Sequence, residues 1–163
     1  MGYNETIGKE AEKMLEYVET GTTDCADGTM EIPASAYTDP DYFAREMSEI
    51  FMKLPLLAAL TAEMPNPGDY KAMDLMGKPI LITRKTDGSV AAMLNVCTHR
   101  GMILKPEGHG NAKRLSCPYH GWTFLNDGKL LGVADPQKFG PVCKEERNLT
   151  TLPVVEAGGV IWV

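Results

Sequence analysis

The sequence predicts a mainly β fold, a small antiparallel barrel or sandwich with a ligand-binding subdomain, preceded by two N-terminal helices. Three observations predict it. Apolar residues recur at helical spacing only before residue 54, in two stretches. After that point the punctuation changes to turn signals: Pro65-Asn66-Pro67-Gly68, Asp87-Gly88 and Asn126-Asp127-Gly128. Between and beyond those turns lie eight short strand-like runs at close intervals.

Taken in order, Asn4–Thr20 reads as an amphipathic helix, with Ile7, Ala11, Met14, Leu15 and Val18 on one face and Gly21 ending it. A Thr-, Asp- and Gly-rich loop runs on to about Tyr37. Thr38-Asp39-Pro40 then supplies a capping side chain and a proline for a first turn. A second helix is expected from Pro40 to Lys53, with Phe43, Met47, Ile50, Phe51 and Leu54 on its apolar face. The ten methionines, spread over such faces, are expected to pack in the core. The strand-like runs are Tyr70–Met76, Pro79–Arg84, Val90–Val96, Lys113–Ser116, Thr123–Leu125, Lys129–Val133, Thr151–Glu156 and Val160–Val163. The expected division is residues 1–36, a helix and loop, and residues 37–163, a β domain with a helical lead-in.

The chain has 163 residues, enough for one domain with a hydrophobic core. Its net charge of −6 argues against nucleic acid or an anionic membrane as partner and is compatible with a basic redox partner. The longest apolar stretch, about Leu54–Ala62, falls far short of the ~20 residues of a membrane span. The polar N-terminus is unlike a secretory signal, so a cytoplasmic location is expected. In a reducing compartment the four cysteines favour metal ligation by two and free thiols at Cys25 and Cys143.

Chemistry concentrates in two loops. Cys97 and His99 close one strand-like run, and Cys117 and His120 begin the turn after another, giving C-x-H and C-x-x-H. Two such loops brought together would offer two thiolates and two imidazoles to one site. Within an extended loop, C-x-H sits uncomfortably on a single metal, whereas two neighbouring metals could each take two ligands. Two cysteines on one iron and two histidines on the other is the ligand set of a Rieske [2Fe–2S] centre. A Cys2His2 zinc site is the competing reading, although zinc sites usually group like ligands together.

Cys97-Thr98-His99-Arg100-Gly101 and Cys117-Pro118-Tyr119-His120-Gly121-Trp122 resemble the Rieske motifs of bacterial ring-hydroxylating oxygenase α subunits. Tyr37-Thr38-Asp39-Pro40, Pro65–Tyr70, Asn95, Gly128-Lys129-Leu130 and Gly158–Val163 resemble that family too, so the likeness covers about 37–163. It implies a Rieske-type β fold with cluster-binding loops at about 97–122, and Cys97, His99, Cys117 and His120 as ligands of a [2Fe–2S] cluster. Arg100, Tyr119 and Trp122 are implied neighbours of the cluster, either packing the loops or shielding it and shaping a docking face. Respiratory Rieske proteins carry a disulfide where this chain has Met102 and Tyr119, and a serine where it has Trp122. Fewer donors to the sulfurs imply a low-potential centre, near the bottom of the range of roughly −150 to +300 mV.

In the family an α subunit also holds a mononuclear iron on two histidines and a carboxylate. This chain has three histidines, and His109, between two glycines, reads as an exposed loop residue, so that iron is expected only in a catalytic domain outside this chain. There is also no phosphate-cradling glycine motif for a flavin or NAD. The resemblance therefore implies one-electron relay, with no catalytic residue in this chain. A reductase or ferredoxin would donate, and a catalytic oxygenase domain or neighbouring α subunit would accept, with His120 facing the acceptor. The alternatives are a stand-alone Rieske-type ferredoxin and a zinc-stabilised interaction domain.

Overall fold

A computed structural model of the chain describes residues 3–163. They divide into two units, residues 1–43 and 44–163. In the first, α1 spans Tyr3–Thr20 and is followed by a short helix α2, Ser35–Thr38. Helix α3, Pro40–Glu46, starts where the sequence placed it: the Asp39 carboxylate accepts from the backbone N–H groups of Asp41 and Tyr42 at 2.9 and 3.3 Å.

The helix expected over Pro40–Lys53 does not stay α. Met47–Phe51 is a π-turn, with the Met52 N–H reaching back five residues to the Met47 carbonyl at 3.0 Å. The methionine expectation is corrected as well. Met64 and Met93 are fully buried, but Met14, Met30, Met52, Met76 and Met102 are exposed, because all but Met14 lie in turns or loops rather than on a packed face.

The second unit is built of antiparallel strands, as the fold class required. They are β1 Leu57–Leu60, β2 Asp69–Leu75, β3 Lys78–Arg84, β4 Val90–Leu94, β5 Gly108–Asn111, β6 Leu115–Ser116, β7 Thr123–Phe124, β8 Leu130–Gly132, β9 Thr151–Leu152, β10 Val155–Ala157 and β11 Val160–Trp162. They form a five-stranded sheet in the order β5-β2-β3-β4-β9 and two three-stranded sheets, β1-β11-β10 and β6-β7-β8.

Strand β3 explains how these layers meet. Ile80 and Ile82 point into one core with Ala58, Ala59, Met64, Ala92 and Ile161, while Leu81 points into another with Met93, Leu115, Phe124 and Leu149. A strand covered on both faces has no polar side to show, which is why its sequence, PILIT, is a continuous apolar run. In β4, Ala92 and Met93 likewise face opposite cores.

Two strands went unforeseen and one expected strand divides. The run expected over Thr151–Glu156 breaks at Pro153, so that β9 pairs with β4 and β10 pairs with β11 in a different sheet. Gly108-His109-Gly110-Asn111 has no strand propensity, yet it forms β5 along the edge of β2. The Tyr70 ring lies over Gly110 so closely that an added Cβ would come within 2.6 Å of the Tyr70 hydroxyl. His109 is thus a strand residue rather than a loop residue. Its Nε2 lies 2.7 Å from the Glu63 carboxylate, which also accepts from the Lys71 ammonium at 2.7 Å and the Leu60 N–H at 2.8 Å.

The sheets are joined through one buried arginine. Arg84, 5% exposed at the end of β3, donates from Nε to the Met64 carbonyl and from one terminal nitrogen to the Gly88 carbonyl, both at 2.9 Å. Its two terminal nitrogens grip the carboxylate of Glu156 on β10 at 2.6 and 2.8 Å, and Thr61 adds a third donor at 2.7 Å.

Candidate functional site

The two Cys/His loops are built alike. In the first, the Gly101 N–H donates to the Cys97 carbonyl at 2.9 Å and the Cys97 N–H donates to the Met102 carbonyl at 2.8 Å. In the second, Gly121 donates to Cys117 at 3.1 Å and Cys117 to Trp122 at 2.7 Å. Each is the same five-residue turn, Cys to Gly, closed by a backbone bond on either side of the cysteine. Each needs its glycine in the left-handed region, at φ 76° for Gly101 and 66° for Gly121. C-x-H and C-x-x-H are therefore two fillings of one loop design, and the shared Cys-x-x-x-Gly frame was visible in the sequence.

Both loops are held from outside. Asn95, 2% exposed, donates from Nδ2 to the Lys105 carbonyl at 2.7 Å and accepts the Lys105 N–H at 3.1 Å, closing the first loop as a strand pair would. The second loop leaves β6 and enters β7, whose residues pair across it, Leu115 with Phe124 and Ser116 with Thr123. Thr98 reaches a distant segment, its hydroxyl donating to the Arg147 carbonyl at 2.7 Å.

The four candidate ligands meet as two pairs, one of thiols and one of imidazoles. Cys97 and Cys117 are both buried, free and in side-chain contact. Burial pushes the Cys97 thiol up to about 11, and the Cys117 thiol adds to the rise against the backbone N–H groups of His99 and Arg100. The His99 and His120 rings lie 4.8 Å apart between centroids. Burial is the largest cause lowering the His99 pKa, and the neighbouring His120, Arg100 and Arg147 lower it further.

Aromatic side chains wall the pair of imidazoles. Trp122 stacks on His99 at 4.9 Å with an interplanar angle of 5°, and Tyr119 stacks on His120 at 3.7 Å. Trp122 is buried and Tyr119 exposed, while Arg100 is exposed beside His99. Phe139, which sequence reasoning missed, stands edge-on to both imidazoles and to Trp122, at 5.2, 6.3 and 5.9 Å. It lies in an irregular segment with no motif around it. A cleft of about 350 Å³ opens beside His99, lined in part by Trp122, Phe139, Glu146 and Arg147.

A [2Fe–2S] group fits these residues on one observation above all. The Nδ1 atoms of His99 and His120 are both buried and have no hydrogen-bond partner in the protein. Leaving two such nitrogens unmatched costs about 1–3 kcal/mol each, so their place is beside an electron-pair acceptor. Among the described residues, no three His, Cys, Asp or Glu side chains close on a single ion. Two thiols and two imidazoles offered as separate pairs suit a two-iron cluster better than one tetrahedral zinc.

Comparison with known proteins agrees. The Rieske [2Fe–2S] domain family matches residues 55–153. The large oxygenase component of salicylate 5-hydroxylase from Ralstonia sp. is 36% identical over 148 residues, covering 83% of this chain and 35% of that protein. The oxygenase subunit of glycine betaine monooxygenase from Pseudomonas aeruginosa is 36% identical over 137 residues, covering 84% of this chain and 32% of its own. Among solved structures, naphthalene 1,2-dioxygenase from Rhodococcus sp. superimposes with a TM-score of 0.73 at 32% identity, over 80% of this chain and 30% of that one. The quaternary ammonium Rieske monooxygenase CntA does so with a TM-score of 0.71 at 34% identity, over 81% and 38%. The chain thus spans about a third of the length of the relatives it matches. With both loops, the antiparallel fold and the matched segment in agreement, this chain belongs to the Rieske [2Fe–2S] domain family, alongside the large subunits of ring-hydroxylating oxygenases.

Proposed function

We propose that this chain is the electron-relay portion of a Rieske non-haem iron oxygenase, with Cys97 and Cys117 holding one iron of the cluster and His99 and His120 the other. The observation that carries this reading is the pair of equivalent loops that set two buried thiols and two unpartnered imidazole nitrogens side by side. A bound [2Fe–2S] cluster supplies reversible one-electron chemistry. The chain's own residues orient and insulate. Gly101 and Gly121 let each loop turn, Asn95 fixes the first loop, and Trp122 and Phe139 exclude water from the imidazoles. Tyr119, exposed over His120, covers the edge that by resemblance faces an acceptor.

The donor is a reductase or ferredoxin, and the acceptor is a mononuclear iron in a catalytic oxygenase domain or a neighbouring α subunit. No helix among the described residues is long and apolar enough to cross a membrane, in keeping with a cytoplasmic oxygenase.

Purified full-length chain, assayed for metal and acid-labile sulfide and examined by visible absorption and EPR, tests this reading. About two irons and two sulfides per chain, with a one-electron-reduced EPR signal, are expected. Colourless protein holding only zinc would overturn it. Cys117→Ser and His120→Ala should each abolish the signal, while His109→Ala should retain it.

A further inference from the structure

The imidazoles are walled on one side by a segment with little regular structure of its own. Residues 135–148, between β8 and β9, hold two single turns of 3₁₀ helix, Pro136–Lys138 and Glu145–Arg147, and most of their side chains are exposed. Asp135 and Gly140 take the left-handed region, at φ 50° and 69°, so the chain turns on either side of Phe139. Phe139 is the part that meets the ligands, edge-on to the His99 and His120 rings at 5.2 and 6.3 Å. It packs, with Val142, against the core that holds Cys97 and Trp122.

Elsewhere the segment stands off from the first loop. A cleft of about 350 Å³ opens between them, lined by His99 and Trp122 on one side and by Phe139, Val142 and Arg147 on the other. Close packing therefore does not fix the segment along that stretch. Hydrogen bonds fix it at few points. Lys144 donates to the Leu131 carbonyl at 2.8 Å and Asn148 accepts the Leu130 N–H at 2.9 Å, both on the β8 side. Towards the ligands there is one, from the Thr98 hydroxyl to the Arg147 carbonyl at 2.7 Å. Among the described residues no other hydrogen bond joins residues 135–148 to either ligand loop. Thr98 stands between Cys97 and His99, so its hydroxyl ties the far end of the segment to the stretch of loop that presents two ligands.

We propose that Thr98 is a positioning residue of the cluster site: its hydroxyl holds residues 135–148 in place, so that Phe139 stays against the two imidazoles and keeps water from them. This rests on the electron-relay reading above and adds a residue that acts through another. The residue between the two ligands of C-x-H is then the anchor of their shield. Water close to the imidazoles favours the extra negative charge of a reduced cluster, so the shield keeps the potential low.

The test uses the full-length, cluster-loaded chain with Thr98→Val and Thr98→Ala, which lack the hydroxyl, and Thr98→Ser, which keeps it. Loss of one hydroxyl–carbonyl bond of ordinary strength raises the opened population of the segment about fivefold. Amide hydrogen exchange over residues 136–148 should quicken by that factor in the two hydroxyl-free variants and stay unchanged in Thr98→Ser. In heavy water, the deuterium modulation of the reduced EPR signal should deepen in Thr98→Val and Thr98→Ala, and their reduction potentials should rise. Thr98→Ser should match the unaltered chain in both. Phe139→Ala should deepen the modulation by itself, and adding Thr98→Val to it should deepen it no further, because the two residues act in series.

Modulation and potential left unchanged in both hydroxyl-free variants would overturn the proposal. So would a Thr98→Ser protein that behaves like Thr98→Val, or effects of Thr98→Val and Phe139→Ala that add. Loss of the cluster from both hydroxyl-free variants would overturn it too, since Thr98 would then build the loop itself rather than hold the segment above it. Absence of the iron–sulfur spectrum from the unaltered chain would instead refute the electron-relay reading, so the two failures are distinguishable.

Discussion

Replacing Glu156 with Gln removes one charge from the Arg84 cluster while keeping the shape of the side chain. In the folded protein the Arg84 guanidinium, helped by the Thr61 hydroxyl, holds the Glu156 carboxyl at about 2, against an ordinary value of 4.5. Each pKa unit is worth 1.36 kcal/mol, so the full shift corresponds to about 3.4 kcal/mol of stability at neutral pH. The Glu156 side chain is 26% exposed and Arg84 6%, so solvent screening trims this to about 2–3 kcal/mol. Because the folded value is the depressed one, this stability is present above the unfolded pKa near 4.5. It is lost as pH falls towards 2, and less than half remains at pH 3.

Urea unfolding followed by far-ultraviolet circular dichroism, run in parallel on the unaltered chain and Glu156→Gln at pH 7, 5, 4 and 3, reads the difference. Glu63, held at about 2 by Lys71, the Leu60 N–H and His109, titrates over the same interval in both proteins and so cancels. The expected difference is about 2–3 kcal/mol at pH 7 and about 1 kcal/mol at pH 3. A difference that is absent at pH 7, or that stays constant down to pH 3, would refute the reasoning, because it would place the energy in packing rather than in charge.

The two loop glycines should respond unequally to alanine. At Gly121 an added Cβ would lie 2.8 Å from the Ala134 Cβ at φ 66°, whereas at Gly101 the space is open and only the φ of 76° opposes it. Gly121→Ala should therefore lose the iron–sulfur absorption, and Gly101→Ala should keep it at a cost of about 1–2 kcal/mol; equal occupancy in both would contradict this. Asn95→Ala strands the Lys105 N–H and carbonyl and should cost about 2–3 kcal/mol, with faster cluster loss to a chelator. A chelation rate matching the unaltered chain would show that Asn95 does not hold the loop. Removing the cluster from the unaltered chain should lower its melting temperature, since two buried thiols and two buried Nδ1 atoms lose their partner. Equal melting of loaded and stripped protein would count against ligation by these residues.

Much of this chain is legible locally. The turns at Asp87-Gly88 and Asn126-Asp127-Gly128 lie where glycine takes positive φ, at 84° and 86°. Strand β3 and helix α1 each begin one residue before the sequence pattern predicts, at Lys78 and Tyr3. The cluster chemistry was legible because cysteine and histidine are scarce, and the two pairs are spaced as no helix or strand period requires. With three histidines in all, the count itself left too few for a further two-histidine iron.

What the sequence by itself determined were the features set by single residues and their near neighbours: the candidate ligands, the turns, the helix starts and the class of fold. Tertiary structure alone decided the features in which distant segments meet. Gly108–Asn111 is a strand only because β2 offers an edge and Tyr70 covers Gly110. The run after Thr150 serves two sheets only because Pro153 falls where their edges part. Phe139 and Arg147 belong to the site only because their segment folds back over His99. Charge, burial and strand pairing act through space over a few ångströms, and the sequence lists neighbours along the chain rather than across it.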